Sequence, residues 1–167
     1  MPLSPKLTQR ICAEFPKYPE KRAVLLTALH FVQDECGGWV PNDVIPELAH
    51  LLEIPVIDVL EVISFYSMFH AEPVGRYHLQ VCTNLPCCLR GARGVVRAFE
   101  RVLDLRPGER TADGMFSLAE VECLGSCGTA PVLQVNNRRH EEGFKPADAD
   151  GLVARLRAAA ATSRKKS

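Results

Sequence analysis

No dinucleotide-binding signature runs through this sequence. The one candidate, "GARG" (Gly91 to Gly94), follows a strand-like run but lacks the G-x-G-x-x-G order, and cysteine occupies the turn. There is no P-loop and no H-E-x-x-H, and the five histidines (His30, His50, His70, His78 and His140) are scattered rather than grouped. Charge imbalance is missing too: 20 basic residues meet 20 acidic ones, so nothing global argues for nucleic acid or an anionic membrane surface. The first residues, "MPLSPKLTQR", lack the apolar core of a signal peptide. No apolar run approaches the ~20 residues of a membrane span. These absences lead us to expect a cytoplasmic chain in a reducing compartment. There, clustered cysteines bind metal or do redox chemistry more often than they form structural disulfides.

At 167 residues, 47% of them apolar, the chain can fill one good-sized domain or a modest domain with an appendage. Its two halves follow different patterns. From residue 5 to about 70 the spacing is helical. "KRAVLLTALHFVQDECGGWV" places Val24, Leu25, Ala28, Leu29, Val32 and Cys36 on one face, and Gly37-Gly38 stops the helix. "PNDVIPELAHLLEI" begins again, with Asp43 expected as N-cap and Pro46 in the first turn. Pro55 opens a third run in which Val56, Val59, Leu60, Ile63 and Phe65 leave little polar face. A helix that apolar is either deeply buried or covered by a partner.

After "EPVGR" the period changes. "YHLQVC" alternates like a half-buried strand, and "LRGARGVVRAFERVLDL" returns to helical spacing through Val95, Val96, Phe99, Val102 and Leu103. "MFSLAEVEC" and "APVLQVNN" read as two further strands. "PADADGLVARLRAAA" reads as a closing helix with Asp148 or Asp150 near its start. The expected order is β-α-β-β-α, a small α/β layer. The divisions are a helical region over 1–75, an α/β domain over 76–160 and a flexible basic tail over 161–167, ending "SRKKS".

Four of the seven cysteines form a constellation: Cys82 and Cys87 as C-x4-C, a gap of 35 residues, then Cys123 and Cys127 as C-x3-C. Each pair lies just past the end of an expected strand, so neighbouring strands would bring both loops together. Four thiolates suit zinc or an iron–sulfur cluster. Spacing favours the cluster. Structural zinc sites mostly use tight C-x2-C knuckles, whereas a [2Fe–2S] rhomb is larger and accepts wider loops. Gly125 and Gly128 allow close backbone approach to sulfur, and Cys87 sits where a helix starts. Cys88 cannot join Cys87 on one cluster without strain and is expected as packing. Cys12 and Cys36, each alone on a helix face, are expected to pack as small hydrophobes.

At these residues the chain resembles a known family. "PVGRYHLQVCTNLPC" and "VECLGSCGTAPVLQVN" are similar to the thioredoxin-like [2Fe–2S] subunit of the NADH-oxidising module of respiratory complex I (NADH:quinone oxidoreductase). "LHFVQDECGGWVP" and "VLEVISFYSMF" extend the likeness to the helical half, so that it covers roughly Leu7 to Leu156. Related subunits serve NAD-dependent formate dehydrogenases and NAD-reducing hydrogenases. Cys88 departs from the pattern, since a small or apolar residue is usual there.

The resemblance implies a helical bundle followed by a thioredoxin-like domain, an α+β or α/β architecture. It implies a [2Fe–2S] cluster on Cys82, Cys87, Cys123 and Cys127. FMN and NADH would lie on a partner flavoprotein subunit, beside further iron–sulfur subunits. The chain would be peripheral to the inner membrane through its complex, without inserting into it. Three other readings stay open on the residues alone: a stand-alone [2Fe–2S] carrier or sensor, a zinc module, and a thiol–disulfide oxidoreductase using Cys87 and Cys88. The last lacks the C-x-x-C that its chemistry needs.

Overall fold

The computed structural model describes residues 3–164, and the chain divides into two units between Pro73 and Val74. In the first unit every regular element among the described residues is a helix: α1 (Pro5–Cys12), α2 (Leu25–Glu35), α3 (Ile45–Leu52) and α4 (Val56–Phe65). Ser4 caps α1, its Oγ accepting the Leu7 N–H at 3.1 Å with Pro5 in the first turn. The face expected on α2 is the buried one: Val24, Leu25, Ala28, Leu29 and Val32 all enter the core, and Cys36 packs against it. Gly37 and Gly38, both at positive φ, end the helix as expected.

Asp43 does not cap α3. The cap is Val44, whose N–H bonds the Pro41 carbonyl at 3.1 Å, so a turn over Pro41–Val44 delays the helix past the aspartate. Gln33 is buried and ties down the segment after α4. Its Nε2 donates to the Met68 carbonyl and its Oε1 accepts the His70 N–H, both at 2.9 Å. On α4 only Val59 and Ile63 are buried; Ile57 is 57% exposed and Phe65 79%. Of the two options for so apolar a helix, deep burial is therefore excluded.

The second unit is a four-stranded sheet with helices: β1 (Tyr77–Cys82), α5 (Leu85–Leu89), α6 (Ala92–Leu103), β2 (Phe116–Val121), β3 (Leu133–Val135), β4 (Arg139–Glu141) and α7 (Ala149–Arg164). The strand order is β2-β1-β3-β4. β1 is parallel to β2, with Leu79 opposite Leu118, and antiparallel to β3, with Leu79 opposite Val135. As a central strand, β1 is buried from His78 through Cys82. The half-buried strand expected from its alternation is thus corrected. His78 meets this burial by placing Nδ1 2.7 Å from the Ser117 hydroxyl on β2.

The helix expected after β1 is two helices. Gly91, at φ 96°, separates α5 from α6, and α6 buries Val95, Val96, Phe99 and Leu103 against the sheet side. Phe99 stacks on Phe144 at 5.6 Å. The strand β4 was not expected from the sequence. Asn136 and Asn137 both adopt positive φ, the turn chemistry that suits asparagine, and the Arg138 N–H bonds the Val135 carbonyl at 3.2 Å. Helix α7 continues through Arg164, so the tail expected from 161 begins as helix, and residues 165–167 lie outside those described.

Gly75 fixes how the chain enters β1. Its N–H bonds the Ser117 Oγ at 2.9 Å, and a Cβ there would lie 2.3 Å from the Phe116 carbonyl carbon. Only glycine allows the backbone so close to β2.

Candidate metal centre

β1 and β2 end on the same side because they are parallel, with Cys82 opposite Val121 in the last register pair. That pairing answers the sequence's two-loop pattern. Cys82 is the final residue of β1, its N–H held by the Val132 carbonyl at 3.0 Å, and the next N–H, of Thr83, bonds the Val121 carbonyl at 2.9 Å. Asn84 caps α5, its Oδ1 accepting the Leu85 N–H at 2.7 Å, and the helix lifts Cys87 back under the strand ends. Both thiols are buried, at 3% and 2% relative exposure. Cys123 and Cys127 follow β2 in an irregular loop and a short 3-10 turn, and both are exposed.

The Cys87 thiol is influenced by two of the other sulfurs. Burial pushes the Cys87 thiol above its ordinary pKa; a hydrogen bond with Cys82 and the charges of Cys82 and Cys127 push it the same way, while the Val132 backbone opposes them. Cys123 is met from the backbone, its Sγ accepting the Gly125 N–H at 3.4 Å, and Gly125 reaches that pose at φ +74°. All four are free thiols, and among the described residues no three His, Cys, Asp or Glu side chains are arranged around a single ion.

The set suits an iron–sulfur cluster. It is all sulfur, and it comes as two loop pairs from adjacent strand ends. A backbone N–H already donates to one sulfur, the usual outer contact at such centres.

Cys88, expected as packing, is half-buried and donates its thiol to the Thr83 carbonyl at 3.0 Å, closing the Cys82–Cys87 loop on itself. The second loop has a latch that sequence reasoning missed: the Ser126 hydroxyl donates to Glu142 Oε1 at 2.8 Å, across 16 positions. The Gly143 N–H reinforces it by bonding the Thr129 carbonyl at 2.7 Å, and the Ala130–Pro131 bond beside it is cis. None of this had a local signal except Pro131 itself. In the second unit both histidines have other partners: His78 meets Ser117 and His140 meets Gln134.

Comparison with known proteins agrees with this geometry. Residues 9–157 match the family model described as thioredoxin-like [2Fe-2S] ferredoxin. The chain is 44% identical over 128 residues to an NADH-quinone oxidoreductase subunit from Rickettsia typhi, covering 75% of each protein. It is 40% identical over 153 residues to the corresponding NADH-quinone oxidoreductase subunit from Rhizobium meliloti, covering 92% of this chain and 90% of that one. Among solved structures, an NAD+-reducing [NiFe]-hydrogenase in the air-oxidized state matches with a TM-score of 0.68 at 24% identity, over 80% of this chain and 23% of the other, a likeness of fold. On the family match and these relatives, the chain belongs to the thioredoxin-like [2Fe–2S] ferredoxin family.

Proposed function

We propose that this chain is an electron-transfer subunit of an NADH:quinone oxidoreductase, holding one [2Fe–2S] cluster on Cys82, Cys87, Cys123 and Cys127 and exchanging electrons with FMN on a partner flavoprotein. The observation that carries the reading is that both cysteine pairs lie at or past the ends of adjacent parallel strands, with the Cys82 thiol 3.7 Å from the Glu122 carbonyl that precedes Cys123, within a family of [2Fe–2S] ferredoxins. When bound, the cluster supplies a one-electron couple. The chain's own residues hold it, with two thiolates from a dry, hydrogen-bonded turn and two from an exposed loop. Gly125 donates its N–H toward one of the thiolates. No side chain is assigned an acid–base role, so catalysis belongs to the assembly, as expected of a non-autonomous subunit.

The helical unit has a place in this reading. The exposed apolar side chains of α4 (Val56, Ile57, Leu60 and Phe65) form the face we assign to the flavin-carrying partner. No helix among the described residues is long and apolar enough to cross a membrane. Peripheral attachment to the inner membrane, on the cytoplasmic side, then follows from the complex and its other iron–sulfur subunits.

Single serine replacements test the ligand set. Serine at 82, 87, 123 or 127 should abolish or shift the visible charge-transfer bands of the purified chain. Cys88→Ser should leave them in place. Bands that survive all four ligand replacements, or that vanish with Cys88→Ser alone, would overturn the assignment.

A further inference from the structure

The outer side of the first ligand turn is apolar and then strongly basic. Leu85 and Leu89 flank Cys87 on α5, four positions apart and therefore on one face, and they are 67% and 78% exposed. Single exposed leucines are ordinary. Two together beside a buried candidate ligand, in a helix of five residues, are not explained by folding. Directly after them come three exposed arginines: Arg90 is the C-cap of α5, ahead of the Gly91 break, and Arg93 and Arg97, four positions apart, share one face of α6.

This basic run is local, since the whole chain balances 20 basic against 20 acidic residues. Four other arginines are ion-paired, Arg22 with Asp58, Arg139 and Arg155 with Glu141, and Arg157 with Asp113. Among the described residues no ion pair involves Arg90, Arg93 or Arg97. The carboxylates Glu100 and Asp104 come only at the far end of α6, away from the ligand turn.

We propose that Leu85 and Leu89 with Arg90, Arg93 and Arg97 form a further face, in addition to that of α4, through which this chain meets the flavin-carrying partner, and that the partner's matching surface is acidic around an apolar depression. The inference deepens the electron-transfer reading, on which it rests for the role of Cys87. Charge complementarity steers and orients the association of protein surfaces. Guanidinium groups fit carboxylates in a forked geometry, and a leucine pair is the kind of anchor a shallow pocket accepts. Single-stranded nucleic acid is a poorer match, because it is bound by stacking. The aromatic rings of this unit (Tyr77, Phe99, Phe116 and Phe144) are buried or half-buried.

The test uses the assembled complex, purified through a tag on this chain. Wild type is compared with an Arg90→Glu, Arg93→Glu, Arg97→Glu variant and with Leu89→Asp. At about 50 mM NaCl the charge-reversed chain should associate with the rest of the complex about tenfold more slowly, and that difference should shrink by about 500 mM as screening rises. Leu89→Asp should dissociate faster at every salt concentration. Visible bands equal to wild type in both variants attribute these changes to docking. A wild type without a cluster that still showed the salt-dependent difference would support the face and overturn the electron-transfer reading. Equal association for all three chains would overturn the proposal. So would binding of a labelled single strand of DNA that the wild type shows and the charge-reversed chain loses.

Discussion

The two ligand loops of this protein are built by opposite means. The first, Cys82 to Cys87, is made from regular structure. It leaves a central strand, is pinned by the Cys82 and Thr83 amides, and turns at once into a capped helix, with both thiols buried. The second, Cys123 to Cys127, is irregular and exposed, and side chains and glycine hold it: Gly125 at positive φ, and Ser126 on Glu142. One cluster would thus rest on a rigid inner pair and an adjustable outer pair. The inner pair is inseparable from the fold, whereas the outer pair can be altered with little effect on stability. The two pairs then separate experimentally into cluster loss with unfolding and cluster loss without it.

The largest effect should come from the strand pair that carries both loops. Gly75→Ala puts a methyl carbon against the β2 backbone, which cannot yield as a side chain could. We expect a loss of about 3 kcal/mol in chemical denaturation, by overpacking. Next is the contrast between loops. In cluster-free protein, Cys87→Ser should cost about 1–3 kcal/mol, because it buries a hydroxyl where a thiol sat. Cys127→Ser, at an exposed site, should stay within about 0.5 kcal/mol. Equal melting shifts for the two would erase the distinction.

Accessibility sharpens the same contrast. In native cluster-free protein, iodoacetamide should modify Cys123 and Cys127 well before Cys82 and Cys87, as read by peptide mass spectrometry. The smallest effect is the outer latch. Ser126→Ala should cost no more than about 1 kcal/mol, the value of one hydrogen bond, while still changing the paramagnetic spectrum of the reduced cluster through the Cys127 ligand beside it.

Much of this contrast could be read in the sequence, because it is local. The alternation of "YHLQVC", the helical spacing of Val95, Val96 and Phe99, and the two cysteine pairs are patterns within a dozen residues: the first became a strand, the second lies on a helix, and the pairs lie at or past the ends of β1 and β2. What could not be read depends on distant neighbours. Alternation in β1 looked half-buried because the sequence does not announce that strands will flank it on both sides. Gly75 looked like any loop glycine until Phe116 lay against it. Ser126 and Glu142 are separated by a hairpin whose second strand, Arg-His-Glu, has no apolar alternation to announce it. Only Asn136-Asn137 carried that signal. Asp43 was a reasonable cap by type, but Pro41 started a turn that used the position first. On α4 the sequence exposed the excess of apolar residues, and the structure sorted them into Val59 and Ile63 within and Ile57 and Phe65 without.

The central claim is that four thiols, two inner and two outer, hold one [2Fe–2S] cluster. It is tested most directly by counting iron and acid-labile sulfide in anaerobically purified full-length protein and recording its paramagnetic spectrum on reduction. The account predicts about two irons and two sulfides per chain and a rhombic signal from one unpaired electron. A colourless protein carrying one zinc per chain, with no sulfide and no signal, would contradict it.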